Sequence, residues 1–278
     1  MTLMQKKKRS KAVKLTVAAF ITLLQIIPLA VVLLNSMRSN EEIGRQLVGV
    51  PTSFHFSNYV QAWVQGGYLQ AYGNSLLIGI GSSVIVLLIV AFAVYGLTKM
   101  HCFFPRFFHT YFVAGLAVPT FAIIVPLFFF FYKVNLVNTH LGMILIYSAI
   151  NISFNFMFMY AFFEGLPKEL DEAARIDGAG EMQNFVYNVV PLAKPIFTSV
   201  LLIVFVNTWN EFLFSNTFLQ QESMRTVSLK FYNFVGKSGS DFGFIYAAAI
   251  ISILPIVVIY FLMQDSFVEG MTSGSVKG

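Results

Sequence analysis

Residues 74–97 read NSLLIGIGSSVIVLLIVAFAVYGL, an uninterrupted apolar stretch without a charged side chain. A helix needs about 20 mostly apolar residues to cross the hydrocarbon core of a bilayer. Strands of a membrane β-barrel would instead alternate apolar and polar residues over about 10 positions, and this stretch does not alternate. The segment therefore predicts a transmembrane helix.

The composition extends this prediction to the whole chain of 278 residues. Apolar residues make up 57% of the chain and charged residues 11%, whereas soluble domains have roughly 45–50% and about 25%. A soluble globule could not cover its surface with so few charges, and disorder requires low hydrophobicity and high net charge. The single cysteine, Cys102, excludes a disulfide scaffold. The composition predicts an all-α, polytopic membrane protein that contacts the lipid bilayer.

Six stretches are long and apolar enough to span a bilayer, and we predict six transmembrane helices: Val13–Ser36, Asn74–Leu97, Phe107–Tyr132, Leu141–Phe163, Ile196–Phe218 and Phe244–Met263. The apolar part of the first stretch exceeds the roughly 7–15 residues of a signal peptide, so we expect it to remain uncleaved. Prolines at 28, 119, 126 and 255 lie inside these stretches. They predict kinks, either as ordinary bends or in a bundle whose halves move.

The basic residues predict the orientation. With six spans both termini lie on one side, and placing that side in the cytoplasm puts 12 of the 18 lysines and arginines inside. Cytoplasmic loops carry such an excess of positive charge. We therefore expect a multi-pass protein of the plasma (inner) membrane with both termini cytoplasmic. The net charge of +5 is explained by this orientation, and no nucleic-acid partner is expected.

Several short motifs resemble nucleotide or metal sites but lack the full pattern of such a site. Gly236-Lys237-Ser238 resembles the end of a nucleotide-binding phosphate loop, but the full pattern requires glycine where Phe231 stands. Gly79-Ile80-Gly81 lies inside a predicted span, where small residues permit close helix packing. The four histidines lack the paired spacing of a zinc site. We expect no catalytic residue, metal, cofactor or ATPase site in this chain, and we do not expect an enzyme.

The inner loop 164–195 carries nine charged residues between two predicted spans. Pro167 suits the first turn of a helix, where its missing N–H costs nothing. Asp177-Gly178 suits a helix end in which glycine adopts the left-handed conformation. A second helix is predicted by apolar residues at amphipathic spacing, namely Met182, Phe185, Val186 and Val189. The loop thus predicts two short helices around a glycine turn, either a solvated hairpin or a docking element for another protein.

Residues 172–179 read EAARIDGA, and a phenylalanine at 185 and prolines at 191 and 195 follow. Together with the lead-in LPKEL at 166–170, this pattern resembles the EAA loop of ABC importer permeases. The position of the loop between the fourth and fifth spans agrees with that family. The segments WNEF at 209–212 and TSGSVKG at 272–278 resemble the carbohydrate-uptake branch, and within it the second, smaller permease of maltose-type importers.

The resemblance implies a type I ABC importer permease, with a single transmembrane domain over 1–278, a cytoplasmic coupling loop at 164–195 and outer loops at 37–73 and 219–243. It implies import of a carbohydrate, in particular an oligosaccharide, driven by cytoplasmic ATP-binding subunits that bind the coupling loop in a cleft. A second, homologous permease subunit would complete a heterodimer, and an extracellular solute-binding protein would deliver the solute. The residues assigned to ATPase coupling are Glu172, Ala173, Ala174, Asp177 and Gly178.

Two alternatives stay open. An ABC permease for another small solute, such as glycerol phosphate, would share the same loop. An ion-coupled secondary transporter would instead show an inverted repeat and midplane ion ligands, and it gives no reason for the loop motif.

Polar side chains inside the spans are candidates for the translocation pathway. Asn151 and Asn155 are predicted on one face of the fourth span, and Asn207, Asn210 and Glu211, with Ser215, on one face of the fifth. Glu211 is the one acidic residue within the predicted spans. Such groups either line a pathway or form hydrogen bonds between helices. For Glu211 we favour gating or packing at the outer mouth over direct contact with a sugar.

Overall fold

The computed structural model describes residues 3–100, 102–167, 169–239 and 241–273, which form helices and contain no β-strand. The helices are α1 (Leu3–Asn35), α2 (Asn40–Arg45), α3 (Ser57–Gly66), α4 (Tyr68–Thr98), α5 (Pro105–Ala114), α6 (Ile124–Lys133), α7 (His140–Glu164), α8 (Glu169–Ile176), α9 (Glu181–Asn184), α10 (Val190–Leu192), α11 (Lys194–Asn210), α12 (Leu213–Phe218), α13 (Val227–Ser238) and α14 (Phe242–Ser273). A π-helical turn, Phe185–Val189, joins α9 to α10.

Four helices are long and apolar enough to cross a membrane, and they lie in α1, α4, α7 and α14. Two bent pairs of helical segments pass the same test. In the first, α5 with the 3₁₀ turn Gly115–Ala117 meets the 3₁₀ turn Thr120–Ile123 with α6 at 84°. In the second, the segment Glu181–Leu192 meets α11 at 77°. The described residues therefore contain up to six spans if each bent pair is one span, which agrees with the predicted number. The second pair is not the predicted fifth span, because it joins residues 181–192 of the preceding loop to α11 and does not include α12. The all-α, polytopic class is confirmed, but the predicted third and fifth spans are not continuous helices.

The break in the third span lies at Val118 and Pro119. Proline has no N–H to continue the helical hydrogen bonds, and it favours an extended residue before it, as Val118 shows with φ −74° and ψ 119°. Pro126 lies in the first turn of α6, where the N–H would need no partner within the helix. Pro28 and Pro255 lie inside the uninterrupted helices α1 and α14. Of the four prolines, Pro119 alone lies where a described helix ends.

The chain forms two compact units, Met1–Gly67 with Phe231–Leu254 and Tyr68–Lys230 with Pro255–Gly278. Each unit combines segments that are distant in sequence, and α14 contributes to both. The single transmembrane domain over 1–278 stays a prediction.

In the first unit, the chain that follows α1 is organised by Arg38, which is 4% exposed. Its guanidinium donates hydrogen bonds to the Asn35 side chain at 2.8 Å and to the main-chain oxygens of Glu42 and Gln46 at 2.8 and 2.9 Å. The hydrogen bond from the Thr52 hydroxyl lowers the pKa of the Glu42 carboxyl. The segment that we predict to be the first outer loop therefore contains ordered helices, α2 and α3.

The second unit is built on α4, α7 and α11, whose apolar side chains form two buried clusters. One cluster joins Val90 of α4, Phe163 of α7 and Val200 of α11, and the inner loop contributes Phe185 and Val189 to it. The other cluster lies towards the opposite end of α4 and includes Ile78, Met143, Tyr147, Phe214 and Phe218. Both α4 and α7 contribute to both clusters, so these two helices form the centre of this unit.

Two glycines let α4 approach its neighbours closely. A Cβ atom at Gly79 would lie 2.9 Å from the ring of Phe205 on α11, and one at Gly81 would lie 2.9 Å from the Cδ1 of Ile144 on α7. Real Cβ atoms are not found at such short distances, so the neighbours would have to shift. The expectation that the Gly79-Ile80-Gly81 segment permits close helix packing is confirmed.

We expect Gly79→Val to reduce the amount of folded protein in the membrane, because overpacking a filled contact typically costs about 1–3 kcal/mol. Gly96→Val on the same helix is the matched control, since a Cβ there meets no described atom within 4 Å. The measurement is membrane abundance together with the thermal unfolding midpoint in detergent. Equal stability of the two variants would contradict the close packing of α4 on α11.

Candidate functional site

Residues 169–193, which we predict to face the cytoplasm, are called the inner hairpin below. The inner hairpin begins with α8 and turns at Gly178. The Gly178 N–H donates to the Arg175 carbonyl at 3.1 Å, and the Ala179 N–H donates to the Ala174 carbonyl at 2.9 Å. This pair of bonds is the Schellman arrangement of a helix end, which places a left-handed residue after the helix. Gly178 has φ +79°, so its predicted left-handed conformation is confirmed.

Burial separates the residues assigned to ATPase coupling. Glu172, Ala173, Asp177 and Gly178 are exposed, whereas Ala174 is only 6% exposed and faces inward. Ile176, which is not among the residues assigned to ATPase coupling, is 86% exposed. A helical wheel places Ile176 away from Leu170 and Ala174, and that signal was present in the sequence. The exposed group Glu172, Ala173, Ile176, Asp177 and Gly178 is called the tip surface below.

The second half of the hairpin differs from its predicted amphipathic face. Phe185 and Val189 are 7% and 3% exposed, but Met182 and Val186 are 61% and 45% exposed. The predicted four-residue face is therefore wrong. Residues 185–189 form a π-helical turn, whose longer i→i+5 repeat replaces the 3.6-residue repeat behind the prediction, and Met182 lies in α9 before that turn. Phe185 and Val189 anchor the hairpin in the core cluster that contains α4.

A polar cluster joins the base of the hairpin to the inner end of α4. The Lys99 ammonium lies 2.9 Å from the Asp171 carboxylate. The Asn184 amide donates to the other Asp171 oxygen at 2.9 Å, and the Tyr95 hydroxyl donates to the Glu181 main-chain oxygen at 3.0 Å. Sequence reasoning missed this cluster, because no local pattern relates position 99 to position 171. In the sequence Lys99 is only one of the inner basic residues, and Asp171 is only an acid in a first helical turn.

A second group of polar residues lines a cavity of about 380 Å³ between α7, α11 and the start of the segment after Pro119. Asn207 donates from its amide to the Asn151 side-chain oxygen at 3.1 Å. Asn210 and Glu211 also line this cavity, together with Thr120, Phe121, Tyr147, Ile150 and Phe214. Asn155 does not belong to the lining. It is fully buried, and its amide donates to the Asn151 carbonyl at 2.7 Å.

Glu211 stands where the predicted fifth span is interrupted. Helix α11 ends at Asn210, Glu211 is extended with φ −70° and ψ 131°, and α12 begins two residues later. The single helix face predicted for positions 207, 210, 211 and 215 is therefore wrong beyond position 210. The carboxylate accepts hydrogen bonds from the Leu213 and Phe214 N–H groups at 2.7 and 3.0 Å and from the Tyr147 hydroxyl at 2.6 Å. A negative charge at a helix N-terminus is favourable.

Known proteins resemble this chain over nearly its whole length. Residues 89–273 match the family described as binding-protein-dependent transport system inner membrane component. The diacetylchitobiose uptake system permease protein NgcG of Streptomyces coelicolor is 31% identical over 255 residues, which cover 91% of this chain and 84% of that protein. The melibiose/raffinose/stachyose import permease protein MelC of Bacillus subtilis is 29% identical over 274 residues, which cover 97% and 99% of the two chains.

The fold has also been seen in a solved structure. A chain from a bacterial ABC transporter involved in the import of the acidic polysaccharide alginate superposes with a TM-score of 0.81 at 20% identity, covering 94% of this chain and 98% of that one. The class of protein is thus a membrane-spanning permease subunit that works with other components of an ABC importer. The chain belongs to the family of binding-protein-dependent transport system inner membrane components. The resemblance to ABC importer permeases is confirmed.

We expect Glu211→Leu to lower the thermal unfolding midpoint in detergent and the abundance of the protein in the membrane. The substitution leaves N–H groups of α12 and the Tyr147 hydroxyl without their acceptor, at a cost of about 1–3 kcal/mol for each group left buried. Glu211→Gln keeps one acceptor oxygen and should lose less. Asn210→Leu, at the exposed preceding position, is the control for stability. A Glu211→Leu protein as stable as the Asn210→Leu protein would argue against this capping role.

Proposed function

We propose that this permease carries a carbohydrate, in particular an oligosaccharide, across the plasma membrane, and that the tip surface of its inner hairpin docks on a cytoplasmic ATP-binding subunit. ATP-driven closure of the ATP-binding subunits moves the hairpin and switches the permease between inward and outward access. The observation that carries the docking role is the exposed glycine turn at Gly178, with Glu172 and Ile176 beside it. A small residue at the turn lets a partner approach the backbone closely, and Ile176 offers an apolar anchor.

The lining of the cavity supports a neutral, hydroxyl-rich solute. Pockets bind such solutes through a few placed polar groups among apolar and aromatic walls. Asn207 and Asn210 supply amides, and Phe121 and Phe214 supply aromatic rings. None of the residues that line this cavity is basic, and one of them, Glu211, is acidic. A phosphate-bearing solute such as glycerol phosphate would call for cationic partners, so the lining favours a carbohydrate. The sugar-transport roles of the relatives NgcG and MelC point the same way.

The remaining partners follow from the family and the charge distribution. A second, homologous permease subunit completes a heterodimer, and an extracellular solute-binding protein docks on the outer side, where α13 exposes Tyr232. Both termini and the inner hairpin lie in the cytoplasm, in keeping with the excess of basic residues on that side. The chain has no ATPase site of its own, since its one phosphate-loop-like segment lacks the first glycine of the pattern.

Two substitutions test the docking role. Gly178→Val forces a β-carbon into a left-handed conformation at a cost of roughly 1–2 kcal/mol, and it adds bulk to the tip surface. Glu172→Lys reverses an exposed charge. We expect both variants to insert normally, to lose uptake and to release the ATP-binding subunit during purification. Gly180→Val is the matched control, because Gly180 has φ −71° and a Cβ there would make only an ordinary contact.

An acidic substitution on the ATP-binding subunit should partly restore Glu172→Lys, if Glu172 faces a basic group on that subunit. Normal uptake in both Gly178→Val and Glu172→Lys would show that the hairpin is only a solvated surface element, and the proposed docking role would be withdrawn.

The pathway role of the cavity is tested separately by measuring uptake over a panel of labelled sugars. We expect Asn207→Leu to change the rate or the sugar preference at unchanged membrane abundance, because Asn207 is exposed in the cavity. Asn155→Leu is the matched control and should leave uptake unchanged, since Asn155 is fully buried outside the lining. Equal uptake in both variants, or a loss of Asn207→Leu from the membrane, would assign Asn207 to helix packing.

A further inference from the structure

The inner hairpin follows α7 and precedes α11 in the chain, yet several of its charged side chains contact the end of α4. Lys99, the residue after α4, pairs with Asp171 of α8 at 2.9 Å, and the two side chains are only 5% and 11% exposed. The Arg175 guanidinium donates to the Lys99 main-chain oxygen at 3.0 Å. These two contacts hold the first hairpin helix against the end of α4.

The second hairpin helix is fixed to the same turn. Asn184 of α9 is 2% exposed, and its amide reaches both Asp171, at 2.9 Å, and the Tyr95 hydroxyl, at 3.3 Å. The Tyr95 hydroxyl also lies 3.0 Å from the Glu181 carboxylate. Apolar contacts between Tyr95 and Phe185 would allow the hairpin to rotate or slide, because such contacts have no direction. Hydrogen bonds are directional, so the bonded groups allow only one position of the hairpin along α4.

The opposite end of α4 carries a second set of polar contacts. The Asn74 amide donates to the main-chain oxygens of Ser223 and Arg225 at 2.8 and 3.0 Å. The Val227 N–H donates to the Ser75 hydroxyl at 2.9 Å. Asn74 and Ser75 are 7% and 2% exposed. These groups fix the segment that leads directly into α13, on the side proposed to meet the solute-binding protein.

A single uninterrupted helix therefore separates the two polar attachments. Helix α4 has 31 residues and a length of about 46 Å at 1.5 Å per residue, which exceeds a hydrocarbon core of about 30 Å. The helix is uninterrupted over this length and contains no proline, so it lacks the commonest cause of a sharp kink.

We propose that Lys99 and Asp171 at the inner end and Asn74 at the outer end are positioning residues that make α4 the strut between the ATPase-docking hairpin and the outer segment 223–227. Displacement of the hairpin is then passed to α4 directly, and not only through α7 and α11, to which it is joined by the chain. The inference rests on the proposed function, because it takes the hairpin as the ATPase contact. It adds the route by which a signal at one face reaches the other.

The test uses the complete importer reconstituted in proteoliposomes, with its two permeases, its ATP-binding subunits and its solute-binding protein. Lys99→Met and Asp171→Leu should each reduce the stimulation of ATP hydrolysis by the loaded binding protein by at least about fivefold, the lower end of typical coupling between sites. Basal ATP hydrolysis and co-purification of the ATP-binding subunit should remain, since the tip surface is unchanged. A purely structural role would instead lower basal and stimulated hydrolysis together with abundance.

A conservative variant and a charge exchange test whether the ion pair itself, and not only the charge at one position, is required for stimulation. Lys99→Arg should retain most of the stimulation, and the exchange Lys99→Asp with Asp171→Lys should recover part of what either single change loses. Lys133→Met is the matched control, because it removes one lysine from an exposed position at the end of α6. At the outer end, Asn74→Leu should lose stimulation while the binding protein still binds, and Gln70→Leu, at an exposed position one turn earlier, should not.

Several results would overturn the strut. One such result is normal stimulation of ATP hydrolysis by the loaded binding protein in Lys99→Met, while Gly178→Val, assayed in parallel, still releases the ATP-binding subunit. It would remove the strut and leave the docking role intact. Failure of the charge exchange to restore stimulation, whatever its effect on abundance, would reduce the pair to a structural contact. Normal uptake in both Gly178→Val and Glu172→Lys would instead remove the docking role on which the inference rests.

Discussion

The structure depends first on the absence of water from the bilayer core, where every main-chain N–H and C=O group needs a partner within the protein. Continuous helices meet this requirement by themselves, and α4 and α7 do so over their full lengths. The predicted third and fifth spans meet it differently, because the breaks at Pro119 and Glu211 both lie next to the cavity lined by Thr120 and Asn210. Irregular main chain at membrane depth occurs only where it is buried or lines a cavity. The breaks therefore mark the polar interior of the bundle, and the Glu211 carboxylate replaces the acceptors that a continuous helix would have supplied.

Apolar packing and polar contacts contribute differently at the inner end of the bundle. Phe185 and Val189 bury the hairpin against α4, which provides affinity but little direction. The buried Lys99–Asp171 pair provides direction. An ion pair removed from water gains little net stability over an apolar pair of similar size, but losing one partner is costly. Such a pair therefore selects one arrangement of the hairpin out of several that the apolar contacts would accept.

The sequence was sufficient for the features that local chemistry determines. Apolar length identified the spans, and the Asp177-Gly178 step identified the left-handed turn, because only glycine adopts that conformation without strain. The sequence was insufficient for contacts and helix ends that depend on residues distant in the chain. The Lys99–Asp171 pair joins positions that no periodicity links, and the end of α11 at Asn210 depends on the Tyr147 hydroxyl and the N–H groups of α12 that gather around Glu211. The inward side of Ala174 likewise depends on what α8 packs against, which a motif does not specify.

Continuity of the helices also bears on how a permease changes access. A broken span bends at its break at little cost, since its main-chain hydrogen bonds are already interrupted there, whereas sharp bending of an uninterrupted helix distorts hydrogen bonds that are intact. The breaks at Pro119 and Glu211 border the cavity, and the intact α4 carries the polar attachments at both ends. Deformation is therefore easiest beside the cavity and hardest along α4. A displacement applied at Lys99 would reach Asn74 with little loss, and the cavity walls would absorb the change in shape that opens one side and closes the other.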